Sequence, residues 1–455
     1  MISKIQNFWL ILKSSLWFIP AIFCFVYFIL TLGIYVLEIS YLDDIKLPPL
    51  FFNGGTSDAK SLAIALLSTM ITMATLAISI TMVVLSLSAS QLGPRLIKTF
   101  MADRKTQTYI GLFFGAVIAC FVLTMILYDA GPYQSNPRIT ITTVFAVCFA
   151  NLFVLLAFVH HVAQSSIADN VILKVARDLA KAVERLTNKK VDFCPADQDG
   201  DGSEWPQDFE KKFERVHFER SGYVQHINYP ELISLAQKHD LHIQIVFKAG
   251  HFLVQGENGV QIYPTADLKA RDKKKDQDTY AQIDKAVRNC FIIGSTRTPT
   301  QDIEYSIRHL VEIAIRALSP GLDDSFTGMT VLDHMSAALA VLFQKETVSG
   351  VMADEEGVIR LNTKQSDETD ILFSAFDQIR QSGRDNPAVT RHVLAKLLIL
   401  ASLARSDSQK AGISYQLDMI EFDLNALKDK MPNTGELQVQ LNKVRKIIES
   451  ENTNR

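Results

Sequence analysis

Cysteine is scarce, and no two cysteines stand in a C-x-x-C pair. The five occur at positions 24, 120, 148, 194 and 290. That scatter suggests neither a zinc site nor a disulfide framework. Cys24, Cys120 and Cys148 lie inside apolar runs and are expected to behave as small buried hydrophobes. Net charge is missing too. The formal value of -3 over 455 residues gives no bulk electrostatic signal for nucleic acid, so no such partner is expected. A phosphate loop, a nucleophile–base pair and a catalytic metal motif are all absent, so no enzymatic activity is expected and a membrane enzyme ranks third among the readings. Finally, no Asp, Glu, Lys or Arg falls within the long apolar runs. This argues against a proton relay or a charge-coupled transporter, which keep ionisable groups at mid-depth.

What is present is an uneven distribution of hydrophobicity. Apolar residues concentrate before about residue 165 and charged residues follow. Four runs, near 15–37, 61–88, 109–128 and 139–163, are each long enough to cross a hydrocarbon core of about 30 Å as a helix. They define a transmembrane domain over 1–164. The first run is too long for a signal-peptide h-region and is followed by no convincing cleavage site, so it reads as a retained anchor. Lys4 and Lys13 precede it. Arg95, Lys98, Arg104 and Lys105 follow the second run, and Lys174, Arg177, Lys181, Arg185, Lys189 and Lys190 follow the fourth. The opposite loops hold only Lys46, Lys60 and Arg138. The bias predicts four spans with both termini cytosolic.

The second run carries hydroxyls on a helical period. At about 100° per residue, Ser61, Ser68, Thr72, Thr75, Ser79, Ser86 and Ser90 fall close to one direction. Leu66, Met70, Met73, Ala77 and Val84 occupy the opposite face, suited to lipid or to a neighbouring helix. Such a stripe is either the wall of a hydrated path or a close-packing seam. Asn151, near the middle of the fourth run, needs a partner at that depth. Counting from the outer ends places it level with Thr72 and Thr75, and a bond to one of them is expected. His160 and His161 end the fourth run, as interfacial polar residues or as a pH-responsive gate.

The second half reads as a cytosolic α+β domain. Residues 165–190 form a connecting helix with Ile172, Val175, Leu179, Val183 and Leu186 at helical spacing. An acidic linker follows over 191–212. Within it Asp197, Asp199, Asp201 and Gly202 match the first half of a calcium loop. The twelfth position is Asp208 and Pro206 interrupts, so a solvated linker competes with calcium as the one cofactor in view. Residues 213–264 alternate like strands, with a helix over "YPELISLAQKHD", and form a small β-rich subdomain. A mainly helical subdomain covers 276–450. There Thr298, Pro299 and Gln301 read as a capping box opening a helix, and Pro320 with Gly321 stops it. Asp323 or Asp324 caps the next helix. Arg297, Asp302, Arg316, Asp323 and Asp324 then form either a structural helix corner or a ligand site for a small molecule or ion. Asn386 with Pro387 marks another helix start.

Several strings together resemble a known family: "FFNGGTSDAKSLAIALLSTMITM", "SASQLGPRLI", "FVHHVAQS", "SGYVQHI", "RTPTQDIEYSIRHLVEIAIRALSPGLDDSFTG" and "VLDHM". The chain is similar over about residues 10–410 to the predicted bacterial inner-membrane proteins grouped as one large domain of unknown function. Members usually show Asn-Asp-Pro-Phe-Thr after "SPG", where this chain has Asp323, Asp324, Ser325, Phe326 and Thr327. The resemblance implies a bacterial plasma-membrane location and no agreed activity. The leading expectation is a homo-oligomer in the lipid bilayer in which the second span lines or flanks a solute path, with Ser68, Thr72, Thr75, Ser79, Ser86 and Asn151 as the residues to watch. The cytosolic domain would assemble it or sense a ligand. The alternative is a membrane-anchored scaffold or sensor without transport.

Overall fold

The computed structural model describes residues 15–42, 51–93, 97–129, 137–165, 167–187, 205–206, 208–264, 273–345, 350–427 and 434–453. The chain divides into two compact units, Met1–Val171 and Ile172–Arg455.

The first unit is helical. Its elements are α1 (Phe18–Leu37, prolonged by a π turn over Glu38–Leu42), α2 (Thr56–Leu92), the short α3 (Ile97–Met101), α4 (Arg104–Asp129) and α5 (Arg138–Ser165). The expected runs all lie in these helices, but α2 begins five residues before the apolar run. Its first turn is closed by a polar cap, with Gly55 N–H donating to Asp58 Oδ2 at 3.1 Å. At 37 residues it is about 55 Å long, well beyond a bilayer core. Helix α4 is the most enclosed, packing against α1, α2 and α5. Its close approach to α1 needs glycine. A Cβ at Gly111 would lie 2.7 Å from Phe23 Cδ2, and one at Gly115 2.7 Å from Tyr27 Cδ2. Met70, Ala74, Phe113, Leu123, Ile141 and Phe158 belong to the buried core.

The second unit opens within α6 (Ala168–Thr187), whose Ile172, Val175, Leu179 and Val183 are buried as the spacing predicts. Strands β1 (Glu214–Val216), β2 (Gly222–Ile227), β3 (Leu241–Ile245), β4 (Phe252–Leu253) and β5 (Val260–Pro264) form where alternation was read. The short α7 (Phe209–Lys212) precedes them, and α8 (Tyr229–His239) divides β2 from β3. The β region does not close at residue 264. After α9 (Lys273–Asn289), β6 (Phe291–Gly294) pairs antiparallel with β2, giving the sheet β4-β2-β6. Strands β7 (Val351–Ala353) and β8 (Ile359–Thr363) complete the other sheet, β1-β5-β3-β8-β7. There β8 runs parallel to β3, with Ile243 opposite Leu361.

The remaining helices are α10 (Ile303–Ala317), α11 (Ser325–Phe343), α12 (Glu368–Gly383), α13 (Pro387–Ala401), α14 (Asp407–Ala426) and α15 (Thr434–Thr453). They pack as a bundle, α10 on α11 and α12, α11 on α13, α12 on α14 and α13 on α15. The start of α10 differs from expectation. Thr298 Oγ1 donates to the Gln225 carbonyl at 3.1 Å. The Gln301 side chain bonds both backbone groups of Ile227, at 2.8 and 3.0 Å. Residues 298–301 are therefore tied to β2, and Asp302 becomes the cap, accepting from Tyr305 N–H at 3.0 Å. Helix α14 begins at Asp407, where Ser406 and Gln409 close a capping box. Asp324 caps α11 and Asn386 caps α13, both as expected.

Candidate functional site

Helix α2 turns one face to its own bundle and the other outward. Met70, Met73 and Ala77 are buried, and Leu66 and Val84 pack against the same core. All seven stripe residues, Ser61, Ser68, Thr72, Thr75, Ser79, Ser86 and Ser90, are exposed in the protomer. The stripe is therefore not a packing seam inside this chain. Several of its hydroxyls bond back to their own helix: Thr72 Oγ1 to the Ser68 carbonyl at 2.9 Å, Thr75 Oγ1 to Ile71 at 2.8 Å and Ser61 Oγ to Ser57 at 3.0 Å. That bonding satisfies the donor and leaves each hydroxyl oxygen able to accept from outside. The stripe is uncharged, with Ile71, Leu76, Ile78, Met82 and Val83 exposed beside it, and it can meet water, a solute or another copy of the helix.

Asn151 lies on the other side of this arrangement. It is buried on α5, and its Nδ2 donates to the Val147 carbonyl of its own helix at 3.0 Å. Its Oδ1 is buried without a hydrogen-bond partner among the described residues. The expected bond to Thr72 or Thr75 is not made, because those threonines point out of the bundle while Asn151 points in. Depth along the membrane normal was matched, but azimuth around the helices was not.

Two polar ties went unnoticed in the sequence. Glu38, just beyond the first apolar run, accepts Ile139 N–H at 2.7 Å on Oε1, and Thr140 N–H at 2.9 Å and Thr140 Oγ1–H at 2.7 Å on Oε2. A side chain from the end of α1 thus caps α5, 101 residues later. The other tie joins the start of α4 to the end of α5. Asp103 Oδ2 accepts from Thr106 N–H at 3.2 Å and Thr106 Oγ1–H at 2.8 Å, and lies 2.8 Å from His161 Nε2. The Tyr109 ring lies 5.7 Å from the His161 ring. His160 is exposed, so the two adjacent histidines have different surroundings.

In the second unit, the five residues of the expected ligand corner fall into two groups. Arg297 holds Asp302 with two bonds, Nε to Oδ2 at 2.6 Å and Nη2 to Oδ1 at 2.8 Å, at the start of α10. Burial pushes the Asp302 carboxyl above the usual carboxylate range despite the guanidinium beside it. Arg316, Asp323 and Asp324 sit at the other end of α10, about 20 Å away by helical rise. Arg316 Nε lies 3.9 Å from Glu312, a loose pair. Asp323 adopts a left-handed φ of 48°, and Asp324 accepts Thr327 N–H at 3.1 Å and Thr327 Oγ1–H at 2.6 Å. Hydrogen bonds to Thr327 hold the Asp324 carboxyl below its ordinary value. Each group has a local structural role, and the geometry does not converge them on one ligand. Asp197, Asp199 and Asp201 lie outside the described residues.

Five helical stretches among the described residues are long and apolar enough to cross a membrane: Phe18–Tyr41, Thr56–Ser90, Arg104–Tyr128, Arg138–Ser165 and Ser325–Phe343. The fifth, α11, was not among the expected spans. Several such helices, followed in the chain by an α+β region, define a multi-pass helical membrane protein. The family follows from comparison. The chain belongs to the family described as "Predicted membrane protein (DUF2254)", whose model matches residues 13–398. It is 25% identical over 385 residues to Uncharacterized protein Mb1321c of Mycobacterium bovis and, at the same identity, to Uncharacterized protein Rv1290c of Mycobacterium tuberculosis. In both cases 82% of this chain and 69% of the relative are covered. No solved structure matches the chain.

Proposed function

We propose that this protein is a homo-oligomeric permeation protein of the bacterial inner membrane, with the outward face of α2 lining the solute path. The observation that carries this reading is the exposure of the whole hydroxyl stripe while the opposite face of the same helix is packed. A membrane helix gains nothing from presenting a row of hydroxyls to lipid tails, whereas neighbouring copies around a hydrated axis use them. The path so formed carries no side-chain charge and suits small neutral or weakly hydrated solutes rather than a proton-coupled cargo.

In this reading α1, α2, α4 and α5 span the bilayer, with both termini cytosolic by lysine and arginine placement. Helix α11 is assigned to the soluble bundle. Val331, Leu332, Met335, Leu339 and Leu342 are buried, which accounts for its apolar composition without lipid. Its Asp333 meets His392 Nε2 at 2.7 Å and Lys396 Nζ at 2.5 Å on α13, a charged cluster that belongs in water.

Flux through liposomes holding the full chain tests the reading. Replacing Ser68, Thr72, Thr75, Ser79 and Ser86 together by leucine is expected to abolish solute flux while leaving oligomer size unchanged. Unaltered flux in that variant would sink it. A second reading, a membrane-anchored scaffold or ligand sensor, draws on the back-bonded threonines, since self-satisfied hydroxyls tolerate lipid. It predicts no protein-dependent flux in either form.

A further inference from the structure

Cys120 on α4 and Cys148 on α5 are expected from the sequence to be small buried hydrophobes. Their sulfurs lie 3.3 Å apart, one donating its S–H to the other. Both are buried, at 0% and 3% exposure. Cys120 stands nine residues before the end of α4 and Cys148 ten residues after the start of α5, so the antiparallel helices bring them together well inside the apolar span. A disulfide needs the sulfurs at about 2.05 Å, roughly 1.3 Å closer than they stand. Cys290, just past the end of α9, shows no such pairing: it donates to the Ala286 carbonyl at 3.4 Å.

We propose that Cys120 and Cys148 are a modification site, a dithiol that a small uncharged peroxide converts to a disulfide joining α4 to α5. One sulfur attacks an oxygen of hydrogen peroxide. The O–O bond breaks, and the departing hydroxide takes the thiol proton and leaves as water, giving a sulfenic acid. The second sulfur then attacks the sulfenyl sulfur. The S–O bond breaks, the S–S bond forms, and hydroxide leaves as a second water with the second thiol proton. In total, two thiols and one peroxide give one disulfide and two waters, with two electrons passing from sulfur to oxygen. The location sets the selectivity. A small neutral oxidant can enter an apolar core, while glutathione, charged and bulky, is excluded, so the bridge persists where a cytosolic disulfide would be reduced. The inference is independent of whether α2 lines a path.

The test uses the full chain in native membranes, titrated with hydrogen peroxide, then denatured in N-ethylmaleimide and mapped by peptide mass spectrometry. The expected result is parallel loss of alkylation at Cys120 and Cys148, with appearance of one cross-linked peptide pair lighter by two hydrogens. Cys148→Ser should abolish that species. Dithiothreitol, which crosses membranes, should restore both thiols, and external glutathione should not. Full alkylation of both residues at peroxide levels that oxidise an exposed-thiol control protein would overturn the proposal. So would cross-linking of either residue to a different cysteine, or reversal by glutathione as fast as by dithiothreitol.

Discussion

Glu38 accepts three hydrogen bonds from the first turn of α5, and hydrogen bonds to a charged group contribute about 1.5–3 kcal/mol where they are buried. Glu38→Ala should therefore lower the stability of the membrane unit by about 2–3 kcal/mol, with Glu38→Gln intermediate, read as the denaturation midpoint in detergent. An unchanged midpoint in Glu38→Ala would contradict the cap. The sequence could not pair Glu38 with Ile139 and Thr140, since nothing local marks so distant an acceptor. Caps within three residues of their targets, such as Asp324 and Asn386, were legible because the signal and its partner share one window. Titration acts at the same scale. Burial holds the His242 imidazole below its ordinary pKa, and its Nδ1–H donates to the Ile359 carbonyl at 2.7 Å. Burial would raise the Asp354 carboxyl, but hydrogen bonds from Arg360 and from the backbone of Val358 and Glu356 outweigh it and hold it low. Both folded-state values are depressed, so both contributions are present above the ordinary values and are lost as pH falls. Stability of the second unit should decline below about pH 6.5 through His242 and again below about pH 4 through Asp354. His242→Gln should remove the first decline and leave the second.

At the scale of elements, amphipathic helices were the most legible. The stripe on α2 and the buried face of α6 follow directly from a 3.6-residue period, which fixes side-chain direction without tertiary information. Strands β6, β7 and β8 were not legible. They stand apart from the 213–264 run, among helical segments, and β8 finds its place only by pairing with β3. The start of α10 was misplaced because Gln301 is used by β2, a contact that local capping rules do not contain. This junction carries its own prediction. Gly250 has φ of 88°, and a Cβ there would fall 2.0 Å from Asp302 Oδ2 and 2.8 Å from Arg297 Nη2. Gly250→Ala should break the Arg297–Asp302 pair and uncap α10, costing about 3 kcal/mol or more. Hydrogen exchange should show the first turn of α10 opening. Equal protection in variant and parent would contradict the assignment.

At the scale of the whole molecule, the two-part organisation was written in composition. An apolar half of four long runs precedes a charged half, and the compact units divide at Val171. What composition could not supply was the rotation of each helix within its unit. Depth alone suggested an Asn151–Thr72 or Asn151–Thr75 bond, and packing turned those side chains apart. The same rotation leaves the hydroxyl face of α2 on the outside of the protomer, and the permeation reading rests there. The direct measurement is water accessibility along α2 in the assembled protein. In a background lacking native cysteines, single replacements Thr72→Cys, Thr75→Cys and Ser79→Cys are exposed in membranes to a small water-soluble thiol reagent, with Ile71→Cys and Ile78→Cys as off-stripe controls. The three stripe positions should react readily and the two controls slowly. Uniformly slow reaction at all five positions would show the stripe dry and would contradict a hydrated path.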